Sequence, residues 1–225
     1  MRWSVFCFSV AVCVAAVLFF GYGQQKEGLR VKLPQPRLKG TMSVEEAIYR
    51  RRSRRSFRDE ALTLEQVGQL LWAAQGITDK RRGFRAAPSA GATYPLEVYL
   101  VAGKVKDLKS GVYRYDPHSH SLELHKAGDV RDALSRAALG QAFIRTAPAT
   151  IVIAAVESRT AARYGARAKR YVLIEVGHAG QNIYLQAEAL GLGTVAVGAY
   201  FDEEVQRVLN LDIPVFYLMP VGKVR

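Results

Sequence analysis

Beyond residue 13 the chain contains no cysteine, because its only two, Cys7 and Cys13, lie inside an N-terminal apolar stretch. The remainder therefore has no disulfide, no thiolate nucleophile and no cysteine-held metal, and no metal site is assigned to it. Long hydrophobic runs are scarce too. Only Trp3 to Phe20 approaches the ~20 residues needed to cross a bilayer, which excludes a polytopic membrane protein. Glycine (19) and proline (8) are ordinary for 225 residues, so collagen-like and low-complexity chains are excluded. There is no G-x-G-x-x-G segment opening a βαβ unit, hence no dinucleotide motif of that kind. Acidic residues are few: 32 Lys+Arg stand against 20 Asp+Glu, a formal net charge of +12. What is present is 49% hydrophobic residues, enough for one globular domain with a real core.

The basic surplus asks for an anionic partner, and its placement is uneven. Residues 1–90 hold 16 Lys+Arg and 7 Asp+Glu, whereas residues 91–225 hold 16 and 13. Six arginines fall within 50–58: Arg50, Arg51, Arg52, Arg54, Arg55 and Arg58. A local cluster points to a site, where a dispersed surplus would point to solubility or a nonspecific surface.

The apolar run, with Arg2 before it and Gly21-Tyr22-Gly23 after it, reads as a signal peptide or membrane anchor over 1–23. It lacks an Ala-x-Ala cleavage site, a lipoprotein cysteine and a twin-arginine pair. A membrane-anchored or exported protein is the expectation, with the side of the membrane open. Residues 24–42, with Gly28, Pro34 and Pro36, read as a linker or arm, and 43–225 as the domain.

Capping boxes at Ser43-Val44-Glu45-Glu46 and Thr63-Leu64-Glu65-Gln66 start two helices, the first running into the arginines and the second ending at Gly76. Strands are expected at Leu96–Ala102, Gly111–Tyr115, Leu122–His125, Ala149–Val156, Thr194–Tyr200 and Val215–Val221. Further helices are expected from Asp129 to Leu139, Arg170 to Leu190 and Asp202 to Leu209. Without a repeating βαβ rhythm, the class is α+β.

Four elements carry candidate chemistry. Arg51-Arg52-Ser53-Arg54-Arg55 offers forked guanidinium donors and a hydroxyl suited to phosphate, and a continuing helix would set Arg51 and Arg55 on one face. Taken alone, such a run also fits a solvated basic helix end. Pro88-Ser89-Ala90-Gly91-Ala92 is a small-residue loop that a flat ligand could approach, or a plain loop. Val197-Gly198 places a glycine inside an apolar strand, a mark of close backbone approach or of a bulge. Glu175-Val176-Gly177-His178-Ala179-Gly180-Gln181-Asn182 sets polar groups and glycines in a long helix, which suggests that another backbone packs there.

Together and in this order, these elements resemble the FMN-dependent nitroreductase family, closest to its SagB-type or thiazole/oxazole dehydrogenase branch, over Ser43 to Val224. The resemblance implies a mostly antiparallel sheet flanked by helices and a homodimer formed through a long helix, with FMN at the interface. It implies that Arg51, Arg52, Ser53 and Arg55 hold the FMN phosphate and ribityl chain. Ser89, Ala90, Gly91 and Ala92 would reach the flavin from the partner subunit, and Val197 and Gly198 would run beside its ring. Gln181 belongs to the long-helix signature and is included among the cofactor residues.

Two departures stand out. Ala92 replaces a ring-contacting Asn of many nitroreductases. Arg163-Tyr164 stands where azoline-oxidising members carry Lys-Tyr, and arginine cannot act as a base at neutral pH. Tyr164 is the one acid–base candidate left. The activity implied is flavin reduction by NAD(P)H or a similar donor and reoxidation by a small organic acceptor. The alternatives are a membrane-tethered basic module for anionic lipid or nucleic acid, and a non-catalytic FMN-binding protein. Nucleic acid is not among the expected partners, because the loop and strand glycines would then have no role.

Overall fold

The computed structural model describes residues 30–225. The expected signal or anchor at 1–23 lies outside the described residues. Among the described residues no helix is long and apolar enough to cross a membrane. That finding corrects the expected membrane-anchored or exported localisation.

The centre is a seven-stranded sheet of β1 (Arg30–Lys32), β4 (Leu96–Ala102), β5 (Gly111–Asp116), β6 (Ser121–Ala127), β7 (Ala149–Ala155), β8 (Gly193–Thr194) and β9 (Val215–Gly222). Two short strands, β2 (Ile77–Asp79) and β3 (Phe84–Arg85), make a separate hairpin. The sheet order is β1-β6-β5-β4-β7-β9-β8 and each of these ladders is antiparallel. Lys32, within the stretch read as an arm, pairs with Ser121, so part of that stretch belongs to the sheet.

Strand periodicity explains the layers. On β4, Leu96, Val98, Leu100 and Ala102 pack on one face with α2 (Leu64–Gln75) and α6 (Ala168–Ala189). Tyr99 and Val101 point to the opposite face, toward α3 (Arg131–Ala137), α4 (Ala142–Thr146) and α7 (Asp202–Leu209). Because both faces are covered, β7 reads Ala-Thr-Ile-Val-Ile-Ala-Ala and is buried at every position. The result is the expected α+β architecture, a mostly antiparallel sheet flanked by helices.

Local chemistry sets the helix starts. The Thr63 hydroxyl accepts from Gln66 N at 3.2 Å while Gln66 Oε1 accepts from Thr63 N at 3.0 Å, a reciprocal box that opens α2. Ser43 Oγ accepts from Glu46 N at 3.1 Å and opens α1 (Val44–Arg50). The helix α5 (Glu157–Tyr164), absent from the sequence expectation, leads through a 3-10 turn at Gly165–Arg167 into α6.

Two expectations are corrected. The first helix stops at Arg50, where Arg51 turns to an extended ψ of 124°, so Arg51 and Arg55 do not share a helical face. The expected strand Thr194–Tyr200 is paired as a strand only at Gly193–Thr194; beyond that, Val197 alone bridges to Leu218. Gly193 sits where chains crowd, since an added Cβ would lie 2.6 Å from Val224 Cγ2 and 2.8 Å from Arg54 Cβ. Gly193→Ala is expected to destabilise the fold by about 1–3 kcal/mol, read as a lower urea midpoint at unchanged slope.

Candidate functional site

The arginine segment is extended chain laid along the β8 edge. Ser53 makes a parallel bridge to Thr194, and Arg54 N donates to Thr194 O at 2.9 Å. Five of its six cations divide into two groups, and the sixth, Arg54, lines a cavity with Arg50. Arg50 pairs with Glu46 at 2.7 Å, Arg58 Nε donates to Val224 O at 2.9 Å, and Arg52 Nη1 donates to the carbonyls of Tyr49 and Arg51 at the end of α1. Arg51 and Arg55 have no carboxylate partner among the described residues. Arg51 lies over the Tyr184 ring, 5.1 Å from its centroid, and Arg55 over Phe143 at 5.9 Å.

Tyr184, on α6, joins this segment to the next. Its oxygen accepts from Ala196 N at 2.8 Å and lies 3.0 Å from Ser53 Oγ. If its proton goes to Ser53, the serine O–H is left free to donate outward. One tyrosine thus ties Arg51–Arg55 to 194–198, where Val197 exchanges backbone bonds of 2.9 and 3.0 Å with Leu218. Gly198 is exposed, with Tyr217 Cε1 at 3.9 Å from an added Cβ. Tyr184→Phe would leave the Ala196 N–H without its partner, with an expected loss of about 1–2 kcal/mol in urea unfolding.

The second assembly is the Ser89–Tyr94 loop, where Gly91, Ala92 and Tyr94 have φ of 58°, 53° and 45°. Helix α5 grips it. Arg163 Nη1 donates to Gly91 O at 3.2 Å, Thr160 and Thr93 hydroxyls meet at 2.9 Å, and Arg159 Nη1 donates to Tyr94 O at 3.2 Å. Tyr164 covers the loop so closely that a Cβ on Gly91 would lie 2.6 Å from its hydroxyl. The Tyr164 ring is packed edge-on against Tyr171, with centroids 4.9 Å apart.

Beneath this loop Glu175 is 2% exposed. Burial pushes its carboxyl up to about 7, against weaker downward pulls from Ser89, Arg85 and Gln75. Its Oε1, Gln75 Nε2 and Arg85 Nε are each buried without a hydrogen-bond partner. The sequence marked Glu175 only as part of a helix signature.

The two assemblies are set apart along α6. Glu175 and Tyr184 are nine residues apart, about 13 Å at ~1.5 Å per residue. Gln181 lies between them, exposed. Tyr184 is the residue missed in the sequence, since a half-buried tyrosine in a long helix carries no motif of its own. At the C-terminal end, Arg225 returns to the arginine segment. Its Nε donates to Phe57 O at 2.9 Å, and with Arg50 and Arg54 it lines a cavity of about 440 Å³.

An antiparallel sheet between helical layers, with one long helix packed on its face, is a fold shared with known proteins. The model described as Nitroreductase family matches residues 48–223. The chain belongs to the nitroreductase family and so to a class of oxidoreductases. A Methanocaldococcus jannaschii protein bearing a nitroreductase name is 46% identical over 182 residues, covering 81% of this chain and 91% of its own length. A solved structure from Ralstonia eutropha, also named for a nitroreductase, gives a TM-score of 0.76 at 29% identity, over 90% of this chain and 92% of that one. The Escherichia coli microcin synthetase McbBCD complex, with truncated pro-MccB17 bound, gives 0.67 at 25% identity, over 97% and 85%. This last likeness agrees with the SagB-type branch named from the motifs.

Proposed function

We propose that the chain is an FMN-dependent oxidoreductase acting as a homodimer, its flavin reduced by NAD(P)H or a similar donor and reoxidised by a small organic acceptor. The observation that carries this reading is the Tyr184 link, which brings the phosphate-type donors of 51–55 to the same place as the 194–198 backbone. The residues fit the group. Among the described residues Arg51 and Arg55 have no carboxylate partner, Ser53 keeps a donor when the Tyr184 proton goes to it, and exposed Gly198 leaves backbone open to a flat ring. When bound, FMN supplies two-electron transfer, and the protein supplies binding and orientation.

In this reading Arg51, Ser53 and Arg55 bind the phosphate end, and Arg52 holds the helix end that presents Arg51. Gly198 offers its exposed backbone to the ring, and Val197, bonded to Leu218 through both of its backbone groups, fixes the segment beside it. Ser89, Ala90, Gly91 and Ala92 close over it from the partner subunit, with Gln181 at the joining helix. That helix is α6, where Leu173 and Ile174 are 48% and 47% exposed and nothing lies within 4 Å of a Cβ on Gly177. Such an apolar face around a bare glycine suits a second copy of the helix. Tyr164, lying on Gly91, is the residue to move a proton, and Arg163 holds the loop through the Gly91 carbonyl.

The test is anaerobic addition of NADH or NADPH to the FMN-loaded chain. Bleaching of the visible flavin band supports the reading. Bound flavin untouched by either donor would favour the non-catalytic FMN-binding alternative.

A further inference from the structure

Two basic stretches take no part in the arginine segment: the one around Lys32 and the one at Lys80-Arg81-Arg82. They lie far apart in sequence. The fold brings them to one groove, because β1 joins the sheet edge beside β6 while the β2–β3 hairpin projects past the end of α2. The groove has a volume of about 1240 Å³ and takes in Lys32, Lys80, Arg81 and Arg82. No Asp or Glu lines it, and none of these four cations forms an ion pair among the described residues. Asp79 and Asp116, adjacent in sequence to lining residues, are engaged in turns. Asp79 accepts from the backbone N–H of Arg81 and Arg82 at 2.9 and 3.0 Å, and Asp116 from His118 N and Ser119 Oγ at 2.9 and 2.6 Å. His120, at the groove floor, is held by Tyr115 and by the carbonyl of Pro34, and burial lowers its pKa, so it adds no charge.

We propose that this groove docks an acidic, extended peptide. Four exposed cations with no carboxylate partner among the described residues favour an anionic occupant. The groove is open, and its volume is above the roughly 300–1,000 Å³ of small-molecule pockets, which suits an extended occupant. The lining also includes apolar Pro36, Leu38, Trp72 and Ile77 beside polar Gln35, Thr78 and Ser119. Apolar side chains in the same groove as the cations suit a polypeptide with apolar and acidic side chains. Single-stranded nucleic acid binds by stacking successive bases on several aromatic rings, and among the described residues Trp72 is the only Phe, Tyr or Trp lining the groove. This site is separate from the flavin reading and does not depend on it.

Trp72 also supplies the test, because Trp3 is the only other tryptophan. In the full chain carrying Trp3→Phe, the emission of Trp72 is followed while a synthetic peptide of alternating Glu and Val is added. Saturable change, with affinity falling as salt is raised, is expected. Combined Lys80→Glu, Arg81→Glu and Arg82→Glu should weaken binding about tenfold or more, and Lys32→Gln from the opposite wall should weaken it by a smaller factor. Reversal of the remote exposed cations Lys109, Arg136 and Arg207 should change it by less than about twofold. Equal binding of a Gln/Val peptide, equal weakening by the remote reversals, or tighter binding of polyuridylate than of the acidic peptide would each overturn the proposal. Far-UV circular dichroism confirms that each variant is folded, and Lys32→Gln alone decides the matter if the triple variant is not.

Discussion

Replacing Arg51 and Arg55 together by alanine is expected to weaken FMN binding by about a hundredfold or more, with little change in the stability of the flavin-free protein. The size follows from the chemistry of the ligand end. A phosphate held by two guanidiniums makes charge-assisted bonds of about 1.5–3 kcal/mol each, and two such losses amount to two or more decades in affinity. The small effect on stability follows from the fold, where neither side chain holds a carboxylate and their contacts are half-exposed cation–π stacks on Tyr184 and Phe143. Arg50→Ala is the matched control. That arginine is already paired with Glu46 within α1, so its removal should leave FMN affinity within about threefold. Quenching of FMN fluorescence on titration reads all three proteins. Loss of affinity in Arg50→Ala as large as in the double variant would assign the effect to general charge.

The second large effect concerns Glu175. Burial beneath the Ser89 loop raises its carboxyl from 4.5 to about 7 in the folded chain. The raised value means that the folded protein binds a proton the unfolded chain has already released. Full stability is therefore present below about pH 4.5 as far as this group is concerned. It is lost progressively as pH rises toward 7 and stays at its lower level above that. The loss is on the order of 3 kcal/mol. Glu175→Gln keeps the shape and removes the titration. Relative to the wild type, the variant should gain stability between about pH 4.5 and 7 and hold that gain at about pH 8. Urea unfolding of both proteins across this range checks the slope. A stability difference that does not vary with pH would mean that the carboxyl is ionised throughout.

The same cluster shows how sequence and structure divide the information. Thr63 and Ser43 were readable because capping is local: a hydroxyl and the amide three residues on are enough. The strands Leu96–Ala102 and Ala149–Ala155 were readable because apolar runs of that length, bounded by turns, have few other uses. The path of the arginine segment was not. A capped helix entering six arginines invites continuation, yet Arg52 turns onto the Tyr49 and Arg51 carbonyls and the chain leaves to pair with Thr194. That choice depends on an edge strand 140 residues away in sequence, between Arg54 and Thr194. Likewise, Thr194–Tyr200 has strand composition, but β9 offers it only a short ladder and the single Val197–Leu218 bridge.

The motif set gave the family, and the family model and relatives agree. The roles of Tyr184 and Glu175 were not legible, because each depends on partners from distant segments: Ser53 and Ala196 for one, Gln75, Arg85 and Ser89 for the other. The short helices Ala142–Thr146 and Glu157–Tyr164 were also missed. Neither has a side-chain cap to announce its start. What fixes α5 is tertiary: its Thr160, Arg159 and Arg163 are spent on the Ser89–Tyr94 loop.

The most direct measurement is the visible spectrum of the purified chain after incubation with FMN and removal of free ligand. Retention of a flavin spectrum, lost in the Arg51→Ala, Arg55→Ala double variant and kept in Arg50→Ala, is the predicted result. A chain that stays colourless with excess FMN, or a double variant that keeps its flavin, would contradict the assignment of residues 51–55 and 194–198 as the cofactor site.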